Sequence, residues 1–293
     1  MTDIPQIFDR RLVRWRRRRS FRSGLRPSFL DAVIAEELAD RLAGVTRAFP
    51  TIVVHGAGDR GLAAGLRRRL PGSRVLESDV VPREGVEIVF DDEALPFAAE
   101  GVDAFVHASG LEAVNDVPGV LAQIRQVLRP DGLFLAALLG GESLKELRLA
   151  WLTADSDVHA GASPRVAPLV DVAAWGALLG RAGFALPVVD CDRLTVRYGH
   201  PLEMMSDIRR LGLANSLAAR SRRPVTRGLL ARAVDRYRNS SADPDGRLRA
   251  SFEIVYLTGW SPHDSQPKPM RPGSARRRLA DALRVKEHPL KRD

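Results

Sequence analysis

Gly56, Gly58 and Gly61 fall in one turn, Gly56-Ala-Gly-Asp-Arg-Gly61, directly after the β-rich run Thr51–His55 and before a helical stretch, Leu62–Leu70. Glycines so placed let backbone approach a nucleotide without Cβ atoms in the way. Asp79, at the end of the next predicted strand, is positioned to accept both hydroxyls of a ribose. Asp91, after the third strand, is positioned to meet an adenine amine, with Asp92 as its rival. Together these residues describe an adenosine pocket. The spacing also fits the dinucleotide fingerprint, in which an acid follows about twenty residues on. The plain alternative is a strand-to-helix turn with solvated carboxylates at strand ends.

No catalytic residue stands out. His55 and His107 lie on or beside predicted strands near the pocket, where either a base or a hydrogen-bonded structural histidine fits. No metal-ligand cluster of recognisable spacing is visible, so no metal is expected. Cys191 is the single cysteine, which excludes an intramolecular disulfide and argues against a cysteine-based zinc or iron–sulfur site. The run Arg16–Arg19 reads as a phosphate grip, a solvated helix face or a dock for an acidic protein.

The elements that must position these residues alternate between strand and helix. Strands are predicted at Thr51–His55, Arg74–Glu77, Val86–Phe90, Val102–Ala108 and Leu133–Leu139, with a helix over Val117–Leu128. This pattern predicts a parallel sheet with helices on its faces. Arg129-Pro-Asp-Gly132 reads as a turn in which Gly132 takes the positive φ. Helices follow from Glu142 and over Asp171–Ala182, then a strand pair within Pro187–Tyr198, a basic helical segment over Pro201–Arg238 broken near Pro224, and a strand over Phe252–Trp260. An amphipathic helix over Ser28–Ala43 is a candidate lid or cap. The expected organisation is a basic helical arm over 1–45, a domain over 46–262 with its core in 50–140 and helical insertions in 141–250, and a basic, mobile tail over 263–293 with a short helix at Ser274–Val285.

The net charge is +9, from 45 Lys and Arg against 36 Asp and Glu, and much of the excess sits at the two ends. Such ends attract acidic partners or a membrane surface. No apolar run approaches the ~18 residues of a membrane-spanning helix. The Arg-rich start has no apolar stretch or cleavage site after it, which argues against an export signal.

Asp91-Asp-Glu-Ala-Leu-Pro-Phe97, Val102-Asp-Ala-Phe-Val106 and Val127-Leu-Arg-Pro-Asp-Gly-Leu-Phe134 together resemble the class I S-adenosylmethionine (SAM) methyltransferases. The resemblance narrows to the arginine-hydroxylase, methyltransferase-fold family that assists assembly of respiratory complex I. It is carried by Ile7-Phe-Asp-Arg10 with the arginine run after it, Val114-Asn-Asp-Val-Pro118, Gly140-Gly-Glu-Ser-Leu144, Gly180-Arg-Ala-Gly-Phe184, Gly259–Gln266 and Pro272–Ala275. The malonyl-carrier-protein methyltransferases are similar in the core segments only. The resemblance implies a Rossmann-like α/β fold with a seven-stranded, mostly parallel sheet, SAM as cofactor held by Gly56, Gly58, Gly61, Asp79, Asp91 and Asp92, and a protein substrate such as a complex I subunit. The single cysteine and the lack of an export signal lead to an expected cytoplasmic location, with basic ends able to touch the inner membrane.

The chain departs from the pattern near one pocket. Val54 stands where the family carries an acid that helps hold the methionine end of SAM, and losing that partner costs about 1.5–3 kcal/mol, or tenfold or more in affinity. The glycine turn is stretched, and Glu112-Ala113 replaces a His-Trp pair. A SAM-dependent enzyme acting on a protein, by methylation or hydroxylation, is therefore weighed against a non-catalytic assembly factor and a carrier-protein or small-molecule carboxyl methyltransferase. Nucleic acid is disfavoured as substrate, since neither an N-P-P-Y type segment nor a nucleophilic cysteine lies near the fourth strand.

Overall fold

A computed structural model describes residues 5–22, 28–58, 60–159, 161, 163–212, 214–267, 280–281 and 284–286. Residues Met1–Pro262 form one compact unit and His263–Asp293 a second. The helix expected over Ser274–Val285 and the segment Pro272–Ala275 lie wholly or largely outside the described residues.

The first unit is built on β1 (Thr51–His55), β2 (Arg74–Asp79), β3 (Ile88–Val89), β4 (Val102–His107), β5 (Leu128–Leu139), β6 (Ala185–Tyr198) and β7 (Leu248–Trp260). They form one sheet in the order β3-β2-β1-β4-β5-β7-β6. The pairs β1–β2, β1–β4, β2–β3 and β4–β5 are parallel, whereas β7 runs antiparallel to both neighbours. The seven-stranded, mostly parallel α/β sheet is the one expected.

The central strands alternate between two buried faces. Ile52 and Val54 join a core with Leu30, Leu38 and Leu42 of α2 (Phe29–Ala43) and Leu62 and Leu66 of α3 (Gly61–Arg69). Val53, Phe105 and Phe134 join a second core with Val120, Leu121 and Ile124 of α4 (Val117–Val127) and Trp175 and Leu179 of α6 (Val172–Arg181). A strand buried on both faces has no solvated side, which is why these segments read as continuous apolar runs. The remaining helices are α1 (Arg10–Arg22), α5 (Lys145–His159), α7 (Pro201–Arg210) and α8 (Arg227–Ser241).

Four local features differ from expectation. First, α2 is no lid: Leu30, Leu38 and Leu42 are fully buried, each contributing roughly 1.5–3 kcal/mol, and Ser28 with Asp31 closes a capping box at its start. Second, β5 begins at Leu128, paired with Val102, and the Arg129–Gly132 turn is absorbed as an irregularity in that strand. Its positive φ, 62°, belongs to Asp131. Gly132 is needed for space instead, since a Cβ there would lie 2.8 Å from the Arg129 carbonyl. Third, the expected strand pair over 187–198 is one long strand, β6, laid against β7. Fourth, β3 is only two residues long, yet that suffices to deliver Asp91 and Asp92 to the edge of the sheet.

Candidate active site

The parallel strands end along one edge, and the chemistry-bearing residues sit at those ends: His55 closes β1, Asp79 closes β2, His107 closes β4, and Asp91 and Asp92 follow β3. Strand order reverses between β1 and β4, the switch point where open α/β sheets bind ligands. His55 and His107 are direct partners in the β1–β4 ladder, so both rings stand on the same side of the sheet.

Gly56 turns the chain away from β1 with φ of 73°, a conformation that favours glycine, and a Cβ there would meet the Ser109 carbonyl at 2.4 Å. Gly56, Asp79 and Asp92 line one cleft together with Arg10, Arg17, His55 and Gly110. Gly58, Gly61 and Asp91 do not line it. A Cβ on Gly58 would collide with the Asp31 side chain, so the close approach at Gly58 is to α2. Gly61 opens α3.

The cleft is filled from α1. Arg17 donates from Nε to Asp79 Oδ1 at 2.8 Å and from Nη2 to Asp79 Oδ2 at 2.9 Å, and Nη2 also reaches the Gly56 carbonyl at 2.6 Å. Asp79 is fully buried. Arg10 donates to Asp91 at 2.6 Å and to Asp92 Oδ2 at 2.5 Å, and Arg14 pairs with Asp91. Burial opposes the charge on Arg17 and Arg10, but Asp79 and Asp92 respectively outweigh it and hold both guanidinium groups above their ordinary range. The phosphate-grip and solvated-face readings of the arginine run therefore fail at Arg17. The signal was present, because residues 10, 14 and 17 recur at helical spacing and share one face of α1.

The arm that carries these arginines is fastened at its start. Phe8 is buried, its N–H donates to Asn115 Oδ1 at 2.7 Å, and Asn115 Nδ2 returns a bond to the Phe8 carbonyl at 3.2 Å. Asp9 N–H donates to the Ser216 carbonyl at 2.8 Å.

Deeper in the cleft, Asp92 Oδ1 lies 3.0 Å from both His55 Nε2 and His107 Nε2. Burial alone would raise the Asp92 pKa, but the bonds to His107 and His55 hold it well below the usual carboxylate range. Burial, together with the neighbouring His55, pushes the His107 pKa down against the pull of Asp92. Asp92 is thus ionised and His107 neutral near pH 7. Sequence spacing gave no sign of this trio, because its members come from three separate strand ends.

Val54 is buried in the core with α2 and α3, so no carboxylate reaches the cleft from that position. Glu112 turns one oxygen to Gly110 N–H at 3.0 Å, while its Oε1 is buried without a hydrogen-bond partner. Burial raises its pKa.

The strand order, the antiparallel β7 and the carboxylates at the strand ends define a class I methyltransferase fold. A methyltransferase domain family matches residues 64–136. The YcgJ protein of Bacillus subtilis superposes with a TM-score of 0.54 at 14% identity, covering 79% of this chain and 99% of that one, which shows the fold alone. The mitochondrial arginine-hydroxylase NDUFAF5 of Danio rerio is 34% identical over 292 residues, covering 95% of this chain and 90% of that protein. A malonyl-[acyl-carrier protein] O-methyltransferase of Laribacter hongkongensis is 33% identical over 259 residues, covering 79% and 84%. The chain belongs to the methyltransferase-fold family of the NDUFAF5 arginine-hydroxylases.

Proposed function

We propose that this protein modifies an arginine side chain of a protein during assembly of respiratory complex I, and that the modification is hydroxylation, in which one atom of dioxygen enters the arginine and the other leaves as water with two electrons from an external reductant. The observation that carries this reading is the Asp79 carboxylate holding a guanidinium through both oxygens at the strand-end cleft. Paired donors on a planar fork match a carboxylate in geometry as well as charge, so a cleft with Asp79, Asp91 and Asp92 at its edge is suited to arginine. α1 supplies such groups from within the chain, and a substrate arginine takes their place when the arm withdraws. The activity named for the Danio rerio relative agrees with this chemistry. The protein substrate, a complex I subunit, lies in the cytoplasm or at the inner membrane surface. Among the described residues no helix is long and apolar enough to cross a membrane.

SAM-dependent methylation is the second reading, favoured by Asp79 at the ribose position and Gly56 at the turn. The residues fit the adenosine half of SAM by type, but Asp79 has both oxygens engaged by Arg17 and the methionine end has Val54 in place of an acid. The cofactor reaches Asp79 only in exchange for Arg17. Gly61 and Asp91 contribute, on this reading, by shaping the turn and the cleft rim, while Gly58 makes room for α2.

Deleting the gene and mapping the arginines of complex I subunits by mass spectrometry separates the readings. An arginine that loses one oxygen atom in the deletion strain supports hydroxylation. Loss of a methylene unit supports methylation, and unchanged masses with impaired assembly support a non-catalytic factor.

A further inference from the structure

His55, Asp92 and His107 are all buried, and their ligating atoms lie within 4.8 Å of one another. Two histidines and one carboxylate form the ligand set that holds non-haem ferrous iron with positions left open for other ligands. Two ligands bound at about 2.1 Å and at right angles to each other stand about 3.0 Å apart. That is the separation of Asp92 Oδ1 from each Nε2.

The surroundings favour an ion over a simple hydrogen-bonded trio. The Ser78 hydroxyl has one proton and lies 3.1 Å from the Val54 carbonyl and 3.0 Å from His55 Nδ1. With that proton on the carbonyl, a neutral His55 ring donates from Nδ1 to Ser78 Oγ, which leaves Nε2 with a lone pair toward Asp92 and free to ligate. A lone pair facing a carboxylate oxygen calls for a cation between them, and a second partner on the far nitrogen is what orients metal-bound histidines. His107 presents Nε2 to the same Asp92 oxygen at 3.0 Å, while its Nδ1 is buried without a hydrogen-bond partner, so only His55 of the two rings has an outer partner on its far nitrogen. Asp92 is divided in the same way: Oδ2 is held by Arg10 while Oδ1 faces the histidines. Phe90 stacks on His55 at 4.3 Å between ring centroids, and Phe105 lies at 6.5 Å, which puts apolar rings behind the His55 ligand.

We propose that His55, Asp92 and His107 bind one divalent first-row transition metal ion, ferrous iron in the working protein, with its open coordination positions facing the cleft beneath α1. The assignment rests on ligand geometry and deepens the hydroxylation reading by naming its cofactor class. Its test reads metal binding alone, so the two can fail separately.

Metal-free full-length protein is titrated with Co(II) and, anaerobically, with Fe(II). One ion binds per chain, Co(II) gives a visible absorption band, and it shifts the ring-proton resonances of two of the six histidines. Arg10→Gln, which removes an outer partner of Asp92, weakens binding by roughly 10- to 100-fold. Asp92→Asn and His107→Gln weaken it further. Absence of stoichiometric binding by the wild type at millimolar ion overturns the proposal, as does unaltered affinity in both ligand variants. Should those variants not fold, the wild-type proton spectrum decides: shifted signals from fewer or other histidines overturn it.

Discussion

Arg17 and Asp79 meet through two parallel hydrogen bonds, of 2.8 and 2.9 Å, at a carboxylate with no solvent exposure. The basic helix α1 thereby occupies the position that the fold offers to a ribose. Removing one partner of a buried pair leaves the other charge stranded, at about 3–5 kcal/mol. Arg17→Met is expected to lower stability toward that range and to raise SAM affinity by about tenfold. Adding Asp79→Asn is expected to recover most of the stability while abolishing the gain in affinity. Chemical denaturation and calorimetry of the two single variants and the double variant measure the coupling.

Asn115 fastens the start of the arm without lining the cleft. Asn115→Ala is expected to cost about 1–3 kcal/mol through the stranded Phe8 backbone groups. It should speed hydrogen exchange across Arg10–Arg22 more than elsewhere. Equal acceleration across the sheet would mean that the bond supports the whole fold and not the arm.

At Gly58 the structure and the nucleotide reading of the turn predict different outcomes. A Cβ there displaces the Asp31 carboxylate, which accepts from Ser28 N–H at 3.0 Å in the capping box of α2. Gly58→Ala should therefore destabilise by about 0.5–2 kcal/mol, the range for a lost cap, and leave SAM binding unchanged. A loss of binding without a loss of stability would restore Gly58 to the pocket.

Glu112 gives a pH dependence with a definite sign. Its pKa is raised by burial, so between its ordinary value of 4.5 and the raised value the folded protein binds more protons than the unfolded chain. Stability from this group falls as pH rises through that window. Glu112→Gln is expected to stabilise the protein at pH 7.5 by about 1 kcal/mol, the lower end of what a buried unsatisfied group costs. The difference should vanish near pH 4. Thermal melts across pH 4–8 check it, and a stabilisation that persists at pH 4 would count against the raised pKa.

Much of the sheet was legible because its central strands are buried on both faces and punctuated by glycine, proline and aspartate. The boundaries were less so. Leu128 begins β5 because Val102 pairs with it across an irregular ladder, which local turn chemistry at Arg129–Gly132 does not reveal. Of the cleft lining, Gly56, Asp79 and Asp92 could be read from their places at strand ends. Gly58 could not, since the clash that demands glycine comes from Asp31, twenty-seven positions earlier in the chain. The trio of His55, Asp92 and His107 was hidden for a related reason: only strand order β3-β2-β1-β4 brings their ends together. Arg10, Arg14 and Arg17 were masked by the neighbouring arginines, which share their composition but not their helix face.

The most direct test of arginine hydroxylation at this cleft is complementation of the deletion strain followed by mass spectrometry of complex I arginines. Wild-type protein should restore the missing oxygen atom, whereas Asp92→Asn, present at comparable level and folded, should not. Restoration to the wild-type extent by Asp92→Asn would contradict the account.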